Sequence, residues 1–210
     1  MNEERRNPYI PTQAPLIADE RALPNANPEF EGTVEYGGFW RRVLALIIDF
    51  LVLSPLVVLT YFGVQYSKMF YVWYFIPGLL LGLFYQVWLV QRFGATPGKR
   101  ALGMRIVLKD GAPITLKAAL LRYAVIGIFT VIQSFGLLMA TRGISDESYY
   151  GMSYFEKLQA LSAAAPSYYP WITGLTQAWL VAVAISMLCN DKRRALHDFI
   201  AGTVVIRDRQ

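Results

Sequence analysis

An acidic and a basic side chain share one face of the first long apolar run in the chain. Asp49 lies inside the run 43–64, and Arg42 stands directly before that run. Seven residues separate the two, so both lie on the same side of a helix, about two turns apart. This spacing is too long for an ordinary direct ion pair. We therefore expect each side chain to meet a partner from another segment.

An ionisable group inside a membrane helix is costly and is by default a candidate for ion or proton transfer. Asp49 in a water-accessible cavity would suit that chemistry. The alternative is a packing role, in which an arginine or a hydroxyl group satisfies the carboxylate and nothing is transported. The residues alone leave both interpretations open.

Two later basic segments contain polar side chains that could join this pair. Lys99 and Arg100 stand in GATPGKR, and His197 and Asp198 stand in RRALHDFIAGT, which holds the single histidine of the chain. We predict that these four residues gate a cavity whose wall includes the first apolar run. The predicted functional polar cluster consists of Arg42, Asp49, Lys99, Arg100, His197 and Asp198.

These residue types do not form a motif for catalysis or for binding a metal or cofactor. A lone histidine cannot build a metal site, and the single cysteine, Cys189, excludes an internal disulfide and a cysteine-based zinc site. GATPGKR lacks the glycine spacing of a phosphate-binding loop, and no serine or threonine follows Lys99. Paired carboxylates and an activated nucleophile are also missing. We predict a protein that is not an enzyme and holds neither metal nor cofactor.

The composition indicates which elements must position the polar cluster. Hydrophobic residues make up 55% of the chain and charged residues only 17%, against about 25% in soluble domains. A helix of about 20 apolar residues crosses the hydrocarbon core. The runs that meet this length are 43–64, 71–90, 123–140 and 171–189. The predicted fold is an all-α membrane protein, a four-helix transmembrane bundle with short β-strand elements.

Lysines and arginines are unequally distributed around these runs. Only three of the twenty, Lys68, Arg142 and Lys157, fall in the connections after the first and third runs. The positive-inside rule therefore places both termini and the central loop in the cytoplasm, so we expect a multi-pass protein of the cytoplasmic (inner) membrane. The basic residues flank apolar runs and form no separate domain, so we expect the bilayer and its anionic headgroups as partners, and no nucleic acid.

The chain divides into a tail and a membrane domain. Residues 1–36 are polar and contain many prolines, which predicts a disordered cytoplasmic tail that a protein partner could bind. Residues 37–210 form the predicted membrane domain. In the outer loop 141–170, SYFEKLQALSAAAP predicts an amphipathic helix on the outer surface, with a buried lid over a pocket as the alternative.

Strand-like segments occur near the second and fourth runs. MRIVL is followed by the turn signal Asp110–Gly111 and by PITL, and TVVI follows the fourth run. KRALGMRIVLKD and RRALHDFIAGTVVIRD match in part, and Arg122 opens the third run much as Arg42 opens the first. We predict an internal repeat in which the two strand segments pair. A chance match at membrane borders is the alternative.

Three segments together are similar to the signature of the RDD family of small bacterial membrane proteins. They are GGFWRRVLALIIDF, GATPGKRALGMRIV followed by KDG, and RRALHDFIAGTVVI. The resemblance covers about residues 37–207 and is interrupted by the long outer loop. The family is named for one arginine and two aspartates, which the resemblance places at Arg42, Asp49 and Asp198. It implies transport of unidentified ligands, with ion–proton exchange as one form.

Two hypotheses for function follow. The first is a small-solute or ion transporter component, with proton coupling through Asp49 as one version. Because four spans make a small conduit, a homo-oligomer would then be expected. The second is a non-transporting membrane scaffold or assembly factor that binds a protein partner or lipid.

Overall fold

The computed structural model describes residues 35–207 and is mostly helical. Four of its helices are long and apolar enough to cross a membrane. They are Phe39–Tyr66, Phe70–Ala101, Leu116–Gly143 and Tyr169–Leu188. Their apolar side chains are largely exposed on the outside of the bundle, which suits contact with lipid. The four predicted runs are therefore confirmed as helices of spanning length and composition.

Short breaks divide these helices into the following elements. The helices are α1 Phe39–Tyr66, α2 Phe70–Leu83, α3 Leu89–Phe93, α4 Pro97–Ala101, α5 Leu116–Ala140, α6 Asp146–Gly151, α7 Tyr154–Ala164, α8 Tyr169–Leu188 and α9 Leu196–Ala201. A π-helical turn, Phe84–Trp88, joins α2 to α3, and a 3₁₀ turn, Thr141–Gly143, follows α5. The strands are β1 Met104–Leu108 and β2 Thr203–Arg207.

The two strands pair with each other in an antiparallel sheet. The register runs from Met104 opposite Arg207 to Leu108 opposite Thr203. The prediction that the two strand segments meet is confirmed. Their inner side chains pack with α1, the π-helical turn and α5 in a buried apolar cluster. We call this end of the bundle, which carries the sheet together with α4 and α9, the sheet end.

The predicted return strand after β1 is much shorter than expected. Gly111 adopts a left-handed conformation with φ 85° and closes the turn. The returning segment then makes only one bridge, between Pro113 and Val107. It cannot extend further because Thr115 already caps α5 by accepting a hydrogen bond from Ala118 N at 3.2 Å.

The two halves of the described chain repeat one order of elements. A spanning helix, a second spanning helix, a short helix and a strand follow one another as α1, α2 with α3, α4 and β1, and again as α5, α8, α9 and β2. Left-handed glycines, Gly103 and Gly202, directly precede the two strands. The repeated order of elements supports the internal repeat, and so does the pairing of the two equivalent strands, β1 and β2.

The outer loop covers the opposite end of the bundle. The predicted amphipathic helix is α7, and α6 is a second helix that the sequence analysis did not predict. Tyr149 of α6 is fully buried and donates to the carbonyl oxygen of Val64 at 2.7 Å. Lys157 of α7 donates to Gln65 Oε1 at 2.6 Å. Both helices therefore pack against the end of α1 and do not lie only on the surface of the bundle.

The predicted tail 1–36 lies outside the described residues except for its last two. Tyr36 forms a bridge with Ile206, and Arg207 N donates to the carbonyl oxygen of Glu35 at 2.7 Å. The described part of the chain thus begins along the edge of β2.

Candidate functional site

Asp49 joins α1 to the start of α4. Its carboxylate accepts hydrogen bonds from Tyr85 Oη at 2.5 Å, Thr96 Oγ1 at 2.7 Å and Gly98 N at 2.7 Å. The first backbone N–H groups of a helix have no partner within that helix, so the carboxylate supplies one from outside. Asp49 therefore has three donors, none of them from a basic side chain.

Gly98 allows this contact because its backbone lies against α1. A Cβ atom at Gly98 would overlap the carbonyl oxygen of Ala45 and would lie 2.8 Å from Asp49 Cγ. Only glycine fits at such a backbone approach. In GATPGKR, Thr96 is the N-cap of α4 and Pro97 is its first residue. The segment is thus a helix start shaped to dock on Asp49.

Tyr85 reaches Asp49 from a π-helical turn. This turn, Phe84–Trp88, interrupts the second spanning helix and also places Gln86 on the same cavity. π-helical turns inside α-helices are rare, and those that occur are often found at functional sites. The local change of helix geometry is therefore part of the construction of the site.

Asp198 forms a second junction, which is fully buried. Arg42 Nη1 donates to its Oδ2 at 3.0 Å, and Arg122 Nη1 is ion-paired with its Oδ1. Ala195 N donates to Oδ2 at 3.0 Å, and Thr203 Oγ1 donates to Oδ1 at 3.3 Å. A single carboxylate thus ties together α1, α5, α9 and β2.

Two charges set the ionisation of Asp198. Burial alone would raise the pKa of this carboxyl, but the guanidinium groups of Arg122 and Arg42 lower the pKa below its usual range. Burial, together with the charge of Arg122, lowers the pKa of the neighbouring His197 to about 3. The carboxylate is therefore charged and the imidazole neutral at pH 7.

A cavity of about 450 Å³ lies between the two junctions. Its polar wall is formed by side chains from five elements and a connecting loop: Arg42, Asp49, Tyr85, Gln86, Thr96, Lys99, Arg122 and His197. Its apolar wall is formed mainly by α1, α5 and α8: Leu46, Phe50, Leu53, Val90, Ile106, Tyr123, Ile126, Trp179, Leu180, Val183 and Met187. Charged and apolar surfaces are thus combined in one space.

Most of the predicted polar cluster surrounds this cavity. Arg42, Asp49, Lys99 and His197 line the cavity, and Asp198 pairs with Arg42 behind its wall. The prediction that Arg42 and Asp49 each meet a partner from another segment agrees with the geometry. Arg100 lies elsewhere: its guanidinium stacks 5.1 Å from the ring centroid of Phe93, beside a separate surface groove.

Comparison with known proteins identifies the family. The model of the RDD family matches residues 36–202, which is most of the chain. The chain belongs to the RDD family. It is also 26% identical over 173 residues to the uncharacterized protein YckC of Bacillus subtilis (strain 168), which covers 80% of this chain and 82% of that protein. No solved structure matches the chain.

The three residues to which the resemblance assigns the arginine and the two aspartates of the family name separate into two contacts. Arg42 and Asp198 belong to one buried ion pair, whereas Asp49 belongs to the hydroxyl and backbone contacts at α4. The two contacts lie on one face of α1, and both position parts of the cavity wall.

Several residues of this RDD site were not predicted from the sequence. Arg122 was recognised only as the counterpart of Arg42, and that match is the signal that could have added it to the site. Tyr85 and Thr96 carry no signal of their own, because a tyrosine in an apolar run and a threonine before proline are common. Thr203 was assigned only to a strand.

Proposed function

We propose that this RDD-family membrane protein is a transport component that binds a small solute in the cavity between its two junctions. The observation that supports this proposal is the cavity itself. Its volume of about 450 Å³ falls within the range of roughly 300 to 1,000 Å³ that small-molecule sites occupy. Side chains from both halves of the chain line it, as expected of a site formed at a repeat interface.

Asp49 has a positioning role in this proposal. Three donors already occupy its carboxylate, so it holds α4 against α1 and keeps Lys99 in the cavity wall. This assignment replaces the version of the hypothesis in which Asp49 itself carries a proton. The groups that remain for a solute are Lys99, His197 and the side of Arg42 that faces the cavity.

We also propose that the sheet end lies in the cytoplasm of a bacterial cell, with both termini on that side. Only Lys68, Arg142 and Lys157, among twenty lysines and arginines, belong to the opposite connections. The polar wall of the cavity would then lie at the cytoplasmic end of the bundle.

The experiment is a flux assay on the full chain in liposomes. Protein-free and protein-containing vesicles are compared by a pH-sensitive dye and by light scattering with a panel of inorganic ions, small carboxylates and sugars. Val183→Trp places a bulky side chain in the cavity, whereas Val181→Trp adds the same bulk on the exposed side of α8, where Val181 is 58% exposed.

The proposal expects flux of at least one solute with the wild type and with Val181→Trp, and its loss with Val183→Trp. Size-exclusion chromatography checks that both variants are folded. Equal flux in all three proteins, or wild-type flux no greater than in empty vesicles, would contradict transport through the cavity.

A scaffold without transport is the second candidate, and the Asp198 junction favours it. This carboxylate is completely buried, and its hydrogen bonds and ion pairs connect four elements, so it stabilises one arrangement of the sheet end. A scaffold would show no flux for any solute, and a pull-down would lose its partner when residues 1–34 are deleted. An unchanged set of partners after that deletion would count against this candidate.

A further inference from the structure

Two cationic groups at the cavity have bonding capacity that the protein does not use. Arg42 is only 7% exposed, yet within residues 35–207 its Nη2 atom has no hydrogen-bond partner. Lys99 lines the same cavity, and in the described part of the chain its ammonium group makes neither a hydrogen bond nor an ion pair. A buried donor without a partner is costly, so Arg42 Nη2 suits an acceptor from outside the chain. Lys99 is half-buried, and its ammonium group can bind an acceptor that enters the cavity.

The charges around the cavity leave an excess of positive charge. Arg42, Lys99 and Arg122 are opposed by the carboxylates of Asp49 and Asp198. The remaining unit of positive charge is located beside Lys99, because the two arginines share Asp198 and Asp49 is satisfied by other donors. An anionic group beside Lys99 would therefore offset this excess.

The lining of the cavity becomes apolar towards the outside of the bundle. Three of its apolar lining residues are also exposed on the outer surface: Leu46 by 69%, Phe50 by 59% and Leu180 by 55%. Leu46 and Phe50 belong to α1 and Leu180 to α8, and these two helices make little contact with each other. The cavity thus opens between α1 and α8 onto a surface that suits lipid, with its cationic groups further inside.

We propose that the cavity binds an amphipathic anion, whose headgroup is held by Lys99 and Arg42 while its hydrocarbon chain lies between α1 and α8. The headgroup is a carboxylate or a phosphate, carried by a free fatty acid or by an anionic membrane lipid. This inference rests on the proposed solute cavity and names the class of solute. Access from the bilayer explains an apolar mouth on a site with a cationic interior.

The test measures binding to the full chain in nanodiscs of phosphatidylcholine, without any flux. Palmitate and phosphatidylglycerol are the two anionic probes, hexadecanol supplies the chain without the charge, and acetate and inorganic phosphate supply the charge without the chain. Native mass spectrometry counts bound molecules, and titration gives the affinity. Lys99→Gln removes the cavity cation, and Arg100→Gln removes the neighbouring charge at Phe93, outside the cavity.

The inference expects one-to-one binding of palmitate, phosphatidylglycerol or both, and which of them binds identifies the source of the anion. Lys99→Gln should weaken binding by about tenfold or more, as expected for a lost charged hydrogen bond, while Arg100→Gln should bind like the wild type. Because Lys99 makes no hydrogen bond in the described chain, its replacement should leave the fold intact.

Equal affinity of Lys99→Gln and Arg100→Gln, equal binding of hexadecanol and palmitate, or no binding at all would overturn the inference. Binding of a second copy of the chain across α1 and α8 that excludes both anions would do the same. Binding of the anion without any flux would contradict transport but leave this inference standing. Flux of a sugar or an inorganic ion without anion binding would contradict this inference but leave transport through the cavity standing.

Discussion

Arg42 in the first spanning helix is ion-paired with Asp198 at 3.0 Å, although 156 residues separate them in the chain. The pair is buried, and the carboxylate also pairs with Arg122 of α5. Because both halves of the repeat send an arginine to one aspartate, this junction holds the halves together at the sheet end.

Removal of the Asp198 carboxylate should destabilise the protein strongly. Asp198→Ala leaves Arg42 and Arg122 buried without a counter-charge, and we expect a loss of about 3 to 5 kcal/mol in the free energy of unfolding. Thermal unfolding in detergent measures the effect. Asp191→Ala is the matched control, because Asp191 is exposed and close in sequence. A melting temperature for Asp198→Ala within a degree of the control would contradict the buried junction.

Replacement of Gly98 should disturb the contact between α1 and α4. In Gly98→Ala, the added methyl group would overlap the carbonyl oxygen of Ala45 and crowd Asp49. We expect a loss on the order of 3 kcal/mol, as for an overpacked core. Gly174→Ala in α8 is the control, because a Cβ atom there meets nothing within 4 Å. That variant should be neutral or more stable, since alanine favours helix. If both variants unfold at the same temperature, α1 and α4 are not in contact.

The single histidine should make stability depend on pH. In the folded state the pKa of His197 is about 3, whereas its ordinary value is 6.5. As pH falls below 6.5, the unfolded chain therefore binds a proton that the folded chain does not, and stability decreases. Asp198 does not contribute in this range, because its lowered pKa keeps it ionised in the fold and an ordinary aspartate is also ionised above about pH 5.

Thermal unfolding at about pH 7 and about pH 5 tests this dependence. The wild type should lose on the order of 2 kcal/mol between the two, and His197→Gln should lose much less. The same slope in both proteins would show that His197 is protonated in the fold as readily as in the unfolded chain.

The proposed orientation can be tested through the single cysteine. Cys189 is exposed where α8 ends, close to the sheet end. A membrane-impermeant maleimide should label it in inside-out vesicles and not in right-side-out vesicles. In a Cys189→Ser background, Ser167→Cys at the opposite end should give the reverse result, because Ser167 is exposed just before α8. Exchanged labelling patterns would place the sheet end outside the cell.

Much of the architecture could be predicted from local sequence properties. The four spans follow from the length of the apolar runs, because hydrophobic length is a property of contiguous residues. The strands, the amphipathic helix α7 and the RDD signature also follow from short segments. The charges of Arg42 and Asp49 were identified as important because they stand in or beside an apolar run, and Asp198 because it is the neighbour of the single histidine and falls in a segment of the family signature.

The partners of those charges were decided only by the tertiary structure. The sequence left an arginine or a hydroxyl group as the partner of Asp49, and the carboxylate is bound by a tyrosine, a threonine and a backbone N–H, which the sequence does not distinguish from ordinary packing residues. Arg100 and Lys99 are neighbours in the chain, yet only Lys99 lines the cavity, because adjacent residues of a helix point about 100° apart. Sequence determines which side chains are costly to bury, whereas the packing of distant helices determines which groups offset that cost.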